Sequence, residues 1–118
     1  MKEIADILRP NLAILFIGFN PGLRSAETGH HFAGHTNKFW KLLAASALTP
    51  ILLQPAAQHS LLDFGYGISN IVARPSRAAS EITQEEYTQG RIILKQKLQF
   101  FQPKIACYVG IGIYKQFA

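Results

Sequence analysis

Leu12-Ala13-Ile14-Leu15-Phe16-Ile17-Gly18-Phe19-Asn20-Pro21-Gly22 is the stretch on which the reading of this chain turns. The apolar run at 12–17 is too short for a buried helix, and Gly18 ends it. Such a run reads as a strand covered on both faces, the pattern of a parallel sheet. A Gly- and Pro-rich loop follows, and residues 18–35 read as polar and irregular. In a parallel sheet, ligands bind beyond the carboxyl ends of the strands, so this loop is the first place to look for chemistry.

Working outward, Thr36 is a suitable N-cap, and Phe39, Trp40, Leu43, Ala44 and Ala47 recur at helical spacing until Pro50. Residues 51–64 are ambiguous and compatible with one short helix. Gly65-Tyr66-Gly67 reads as a turn, and Ile68-Ser69-Asn70-Ile71-Val72 as a second strand closed by Arg74-Pro75. Thr83 and Glu86 form a T-x-x-E capping box, with Ile82 and Tyr87 at the staple positions around it. The box predicts a helix that Pro103 ends, with acids in its first turn and Lys95 and Lys97 near its last. Ile105-Ala106-Cys107-Tyr108-Val109 reads as a third buried strand, and Gly110-Ile111-Gly112 as the turn into another helix. Strands alternating with helices build an α/β domain, here a three-layer α/β/α arrangement around a short parallel sheet spanning residues 1–118. The third strand would leave an apolar edge, and the chain stops at Phe117-Ala118 without a cap. A fourth strand is therefore expected to be missing and the domain to be incomplete at its C-terminal end.

The chain of 118 residues carries a net charge of +5, and no acid follows Glu86. With a pI near 9.6, it should attract polyanions, nucleic acid before acidic membrane surfaces. No apolar stretch approaches the roughly 20 residues that span a bilayer, and the first ten residues do not resemble a signal peptide. A single cysteine, Cys107, excludes an intramolecular disulfide and reads as a buried inert thiol. The cytoplasm is expected, in association with a bacterial nucleoid, or the nucleus of a eukaryotic cell. His30, His31 and His35 lack the Cys or second His cluster that would complete a metal site. Gly110-x-Gly112 lacks the third glycine of a dinucleotide fingerprint. Neither a metal nor a cofactor is expected.

The loop and its surroundings read G-F-N-P-G at 18–22, G-H-H at 29–31, N-K-F-W at 37–40, G-I-S-N at 67–70, G-R-x-x-x-x-x-K at 90–97 and Q-P-K-I-A at 102–106. In this order, over essentially the whole chain, they resemble the mismatch-specific uracil-DNA and thymine-DNA glycosylases of the uracil-DNA glycosylase superfamily. The resemblance implies a monofunctional base-excision repair enzyme that hydrolyses the N-glycosidic bond of a flipped uracil, or of thymine and related pyrimidines. Its partner would be double-stranded DNA with G:U or G:T mismatches, and the complete protein would be a monomer.

Asn20 matches the asparagine that holds the attacking water. An amide is no general base at neutral pH, yet its carbonyl oxygen can accept a hydrogen bond from water and so position it. Phe32 matches the aromatic on which the base stacks, and the main chain at Phe19 would meet the base carbonyls. Phe19 itself departs from the more usual isoleucine, a change of size that bears on pocket width. Asn70 matches a position facing the pyrimidine edge, and His31 a histidine at the pocket rim. Ser76, Arg74, Arg77 and Lys38 are candidates for contact with DNA phosphates. The second family motif, an N-P-S-G-like loop that fills the hole left by the flipped base, has no counterpart in the chain. Two other readings compete: a catalytically silent DNA-binding fragment, and a small nucleotide-binding α/β module for which no phosphate loop is found.

Overall fold

The computed structural model describes residues 3–109. Three parallel strands, β1 (Ile14–Gly18), β2 (Tyr66–Asn70) and β3 (Ile105–Tyr108), form a sheet in the order β2-β1-β3. Ile14 is opposite both Tyr66 and Ile105, and Gly18 is opposite Asn70, so the strands end level with one another. The central position of β1 explains its unbroken apolar run. Leu15 and Ile17 enter a cluster with Ile71, Ile82, Tyr87 and Leu94 on one face. Phe16 enters a second with Phe39, Trp40, Leu43, Leu61 and Ile68 on the other. Alternate residues of one strand thus feed two cores, as the twofold side-chain period requires.

Helices cover both faces. α1 (Leu23–Thr28) and α2 (Phe39–Ala45) follow β1, a 3-10 segment (Pro55–Phe64) leads into β2, and the 18-residue α3 (Gln84–Phe101) joins β2 to β3. The capping box of α3 is formed as expected: the Thr83 hydroxyl accepts from the Glu86 amide at 3.1 Å, and a Glu86 carboxylate oxygen accepts from the Thr83 amide at 3.1 Å. Gln102 then takes the left-handed conformation and Pro103 follows. This is the three-layer α/β architecture expected from the alternation of elements. No helix of the described residues is long and apolar enough to cross a membrane.

Several local expectations are corrected. The stretch 18–35 is not irregular throughout, since 23–28 is helical and closes on Gly29 at φ 74°. Thr36 does not cap α2, which begins at Phe39; Asn37 Oδ1 accepts from the Phe39 amide at 2.9 Å instead. Lys95 and Lys97 lie near the last turn of α3 but not within it, because the helix runs on to Phe101. β2 begins two residues earlier than its flanking glycines suggest. Gly67 is not part of a turn but lies within the strand, where a Cβ would fall 2.3 Å from the Ile7 carbonyl oxygen. Its glycine lets the N-terminal segment cross the strand, with Ile7 and Ile68 exchanging backbone hydrogen bonds of 2.9 and 3.0 Å. β3 is not the buried strand that its apolar run predicts: among the described residues it lies at the sheet edge, and its Ile105 is 55% exposed. The helix expected after 110–112 lies outside the described residues.

Candidate active site

Beyond the carboxyl ends of the strands lies a cleft of about 610 Å³, within the usual size of small-molecule sites (roughly 300–1,000 Å³). Gly18 and Asn70, the last residues of β1 and β2, form its floor. A Cβ on Gly18 would meet Asn70 Oδ1 at 2.6 Å and the Phe32 ring at 3.5 Å, so only glycine lets these two side chains converge there.

One wall is made by the loops after β1 and β2, which are laced together by the main chain. The Ile71 amide donates to the Gly18 carbonyl at 2.9 Å, Val72 to Phe19 at 2.9 Å, and Ser76 to Pro21 at 3.0 Å. Within this lacing sits Asn20. Its Nδ2 donates to the Arg74 carbonyl and to Ser76 Oγ, both at 2.8 Å, with a longer contact to its neighbour's carbonyl. A backbone carbonyl can only accept, so the amide nitrogen must face Arg74 and Oδ1 must face the other way. Ser76 Oγ in turn donates to the Ala78 carbonyl at 2.8 Å, leaving its lone pairs to receive the amide. The amide of Asn20 is thereby held by its donor end.

The opposite wall, 29–37, is held by side chains reaching in from elsewhere. Gln58 Oε1 accepts from the His31 amide at 2.7 Å, and Gln58 Nε2 donates to the Gly29 carbonyl at 3.1 Å. Trp40 Nε1 donates to the His31 carbonyl at 3.0 Å. Ser25 Oγ accepts from the Ala33 amide at 3.1 Å. So anchored, Phe32 adopts a left-handed backbone at φ 52°, an unfavourable state for a non-glycine residue, and its ring stacks on Phe39 at 4.1 Å.

His31 is buried, and its Nε2 lies 2.8 Å from the Ala5 carbonyl. That carbonyl needs a proton on Nε2, which leaves Nδ1 as the acceptor of a neutral ring. Burial pushes the imidazole below its ordinary value of 6.5 and outweighs the upward pull of the Ala5 carbonyl.

The cleft brings together Asn20, Asn70, Phe32, His31, Ser76 and Arg77, with Phe19. The Phe19 ring packs edge-on to Tyr87 in the core, so its size is accommodated there. Ser76 is buried with its hydroxyl committed to internal partners. Arg74 and Lys38 do not line the cleft. The Arg74 guanidinium is engaged by both Glu86 carboxylate oxygens, at 2.6 and 3.0 Å, and by the Glu81 carbonyl at 3.0 Å. Lys38 is exposed at the N-cap of α2. Sequence reasoning missed Gln58 and Ser25. Gln58 lies in a stretch without clear periodicity, and nothing local marks it as the clamp of a loop 27 residues away.

A second groove of about 670 Å³ runs along α3 past Thr88, Lys95 and Gln99, away from the strand ends. Among the described residues no group of three or more His, Cys, Asp or Glu side chains is placed to hold a metal ion. The family model for the uracil DNA glycosylase superfamily matches this chain over residues 5–118.

Proposed function

The chain belongs to the uracil DNA glycosylase superfamily, which makes it a glycosidase of DNA repair, and on that premise we propose that it is a monofunctional, mismatch-specific uracil/thymine-DNA glycosylase. Uracil opposite guanine is the first substrate and thymine or a related pyrimidine the second. The observation that carries the proposal is the Asn20 carboxamide, tied by its nitrogen to Arg74 and Ser76 so that Oδ1 is left for another donor.

The chemistry follows from what an amide can do. Asn20 Oδ1 accepts a hydrogen bond from water but takes no proton, so it orients the nucleophile without activating it strongly. The C1′–N bond must then break largely before water arrives. Its electron pair leaves with the pyrimidine, whose carbonyl oxygens spread the charge, and the sugar becomes oxocarbenium-like. The water oxygen bonds to C1′, and its proton goes to solvent or to the departed base. The products are a free pyrimidine and an abasic site.

Phe32 and Asn70 suit a flipped pyrimidine. Stacking on an aromatic contributes about 1–3 kcal/mol per base and tolerates either pyrimidine. An asparagine can both donate to and accept from a pyrimidine edge. Arg77 lines the cleft, with Arg24, as a cation for a phosphate.

Abasic-site formation on uracil-containing single and double strands tests the proposal. Asn20→Ala should lower excision by at least about 100-fold, the scale of losing one group that acts at the reacting atoms. Affinity for the same DNA should stay within a few fold, since no charge is removed. Undiminished turnover in that variant would refute the role of Asn20.

A further inference from the structure

Asn20 makes only a long contact within its own loop, 3.3 Å to the Pro21 carbonyl. The two groups that hold its nitrogen at 2.8 Å come from the loop after β2, more than fifty residues away in sequence, and that loop is fixed in turn by the first turn of α3. We propose that Ser76 and the Arg74–Glu86 pair form a positioning device that holds the Asn20 amide with Oδ1 toward the cleft. The inference rests on the function proposed for Asn20 and names the residues through which that function is maintained.

The device can be followed atom by atom. Glu86 Oε1 receives the Thr83 amide at the start of α3 and the Arg74 Nη2 at 3.0 Å, while Oε2 receives Arg74 Nε at 2.6 Å. The planar guanidinium fork thus ties residue 74 to the helix terminus in one geometry. The Arg74 carbonyl then stands 2.8 Å from Asn20 Nδ2. Two residues on, Ser76 Oγ receives the same nitrogen, and its own proton is taken by the Ala78 carbonyl. An amide has two faces of similar shape and opposite polarity. If it turned over, Oδ1 would face the Arg74 carbonyl, and Nδ2 would offer the water a donor where an acceptor is needed. Ser76 is 5% exposed, so solvent does not readily substitute for its hydroxyl. The ion pair is solvent-facing, and its role is geometric more than energetic.

The test uses two readouts on the full chain. In the first, the side-chain amide protons of Asn20, observed by 15N-edited NMR without DNA, should exchange slowly in the parent protein. Ser76→Ala should speed that exchange by about five- to tenfold, as expected for loss of one buried hydrogen bond. Unchanged exchange would overturn the device whether or not the protein cleaves uracil. In the second, single-turnover excision should fall by a similar factor in Ser76→Ala and recover in Ser76→Thr. Binding to duplex bearing an uncleavable 2′-fluorinated deoxyuridine should stay the same. In an Asn20→Ala background, Ser76→Ala should cost nothing further. An equal cost in both backgrounds would show that Ser76 acts independently of Asn20 and would overturn the proposal. Absence of excision by the parent protein would refute the function proposed for Asn20, while the exchange rates would still decide whether Ser76 holds its amide.

Discussion

The two walls of the cleft are built by different means. The wall carrying Asn20 extends the sheet: after β1 and β2 end, backbone bonds continue between 18–21 and 71–76, and the important side chain hangs from that lacing. The wall carrying Phe32 has no such ladder and depends on Gln58, Trp40 and Ser25, each reaching a loop that runs over the surface. The first arrangement fixes an atom, as a water-positioning group requires. The second holds a ring in an unfavourable backbone state and needs only to present a face for stacking. Rate should therefore be the property of the first wall and affinity that of the second.

The most disruptive change to the first wall is expected at Gly90. A Cβ there would lie 2.2 Å from the Ile71 carbonyl oxygen, at the point where α3 packs on the laced segment. Gly→Ala inside a helix normally gains about 1 kcal/mol, so any loss isolates the clash. We expect Gly90→Ala to destabilise by about 3 kcal/mol, the scale of a forced backbone shift, and to lower the excision rate as Ile71 moves relative to Gly18. Thermal melting with single-turnover kinetics checks both. A variant as stable as the parent would mean that the contact yields freely and that the wall is not rigid.

Gln58→Ala probes the second wall. It strands the buried His31 amide, which costs about 2 kcal/mol, and releases the part-buried Gly29 carbonyl. Here KM should rise more than kcat falls, because Phe32 loses its support while Asn20 keeps its own. If kcat falls alone, the division of labour between the walls is wrong.

That contrast also explains what could be read in the sequence. The buried strand at 12–17 and the capping box at Thr83 and Glu86 are signalled locally, by period and by spacing, and both are found. The Asn20 loop is legible because it directly follows the strand. Gly67 misleads because one residue serves equally for a turn and for a close backbone approach, and only the crossing by Ile7 distinguishes them. Arg74 and Ser76 look like basic and hydroxylic loop residues open to phosphate. The structure directs one to Glu86 and the other to Asn20, partners 12 and 56 residues away. Gln58 and Ser25 carry no local signal, since their importance lies wholly in what they meet.

The smallest effect should appear on acidification, and it should reach the two walls in a fixed order. In the second wall, the His31 imidazole is held below its ordinary value of 6.5, chiefly by burial. The unfolded chain therefore takes up that proton first as pH falls, and the stability contributed by the neutral ring is lost progressively below 6.5, down to the folded-state value. In the first wall, hydrogen bonding to Arg74, then to the Thr83 amide, lowers the Glu86 carboxyl to about 2. Its contribution is complete above the ordinary glutamate value and is lost only as pH falls from there through about 2. Between pH 6.5 and 5 the Phe32 side should loosen while the Asn20 side holds, so KM should rise before kcat declines. Following the His31 ring proton by NMR and hydrogen exchange at residues 29–33 and 71–76 over that range tests the order. A ring that titrates at or above 6.5, or exchange that rises equally on both walls, would show that burial does not separate them.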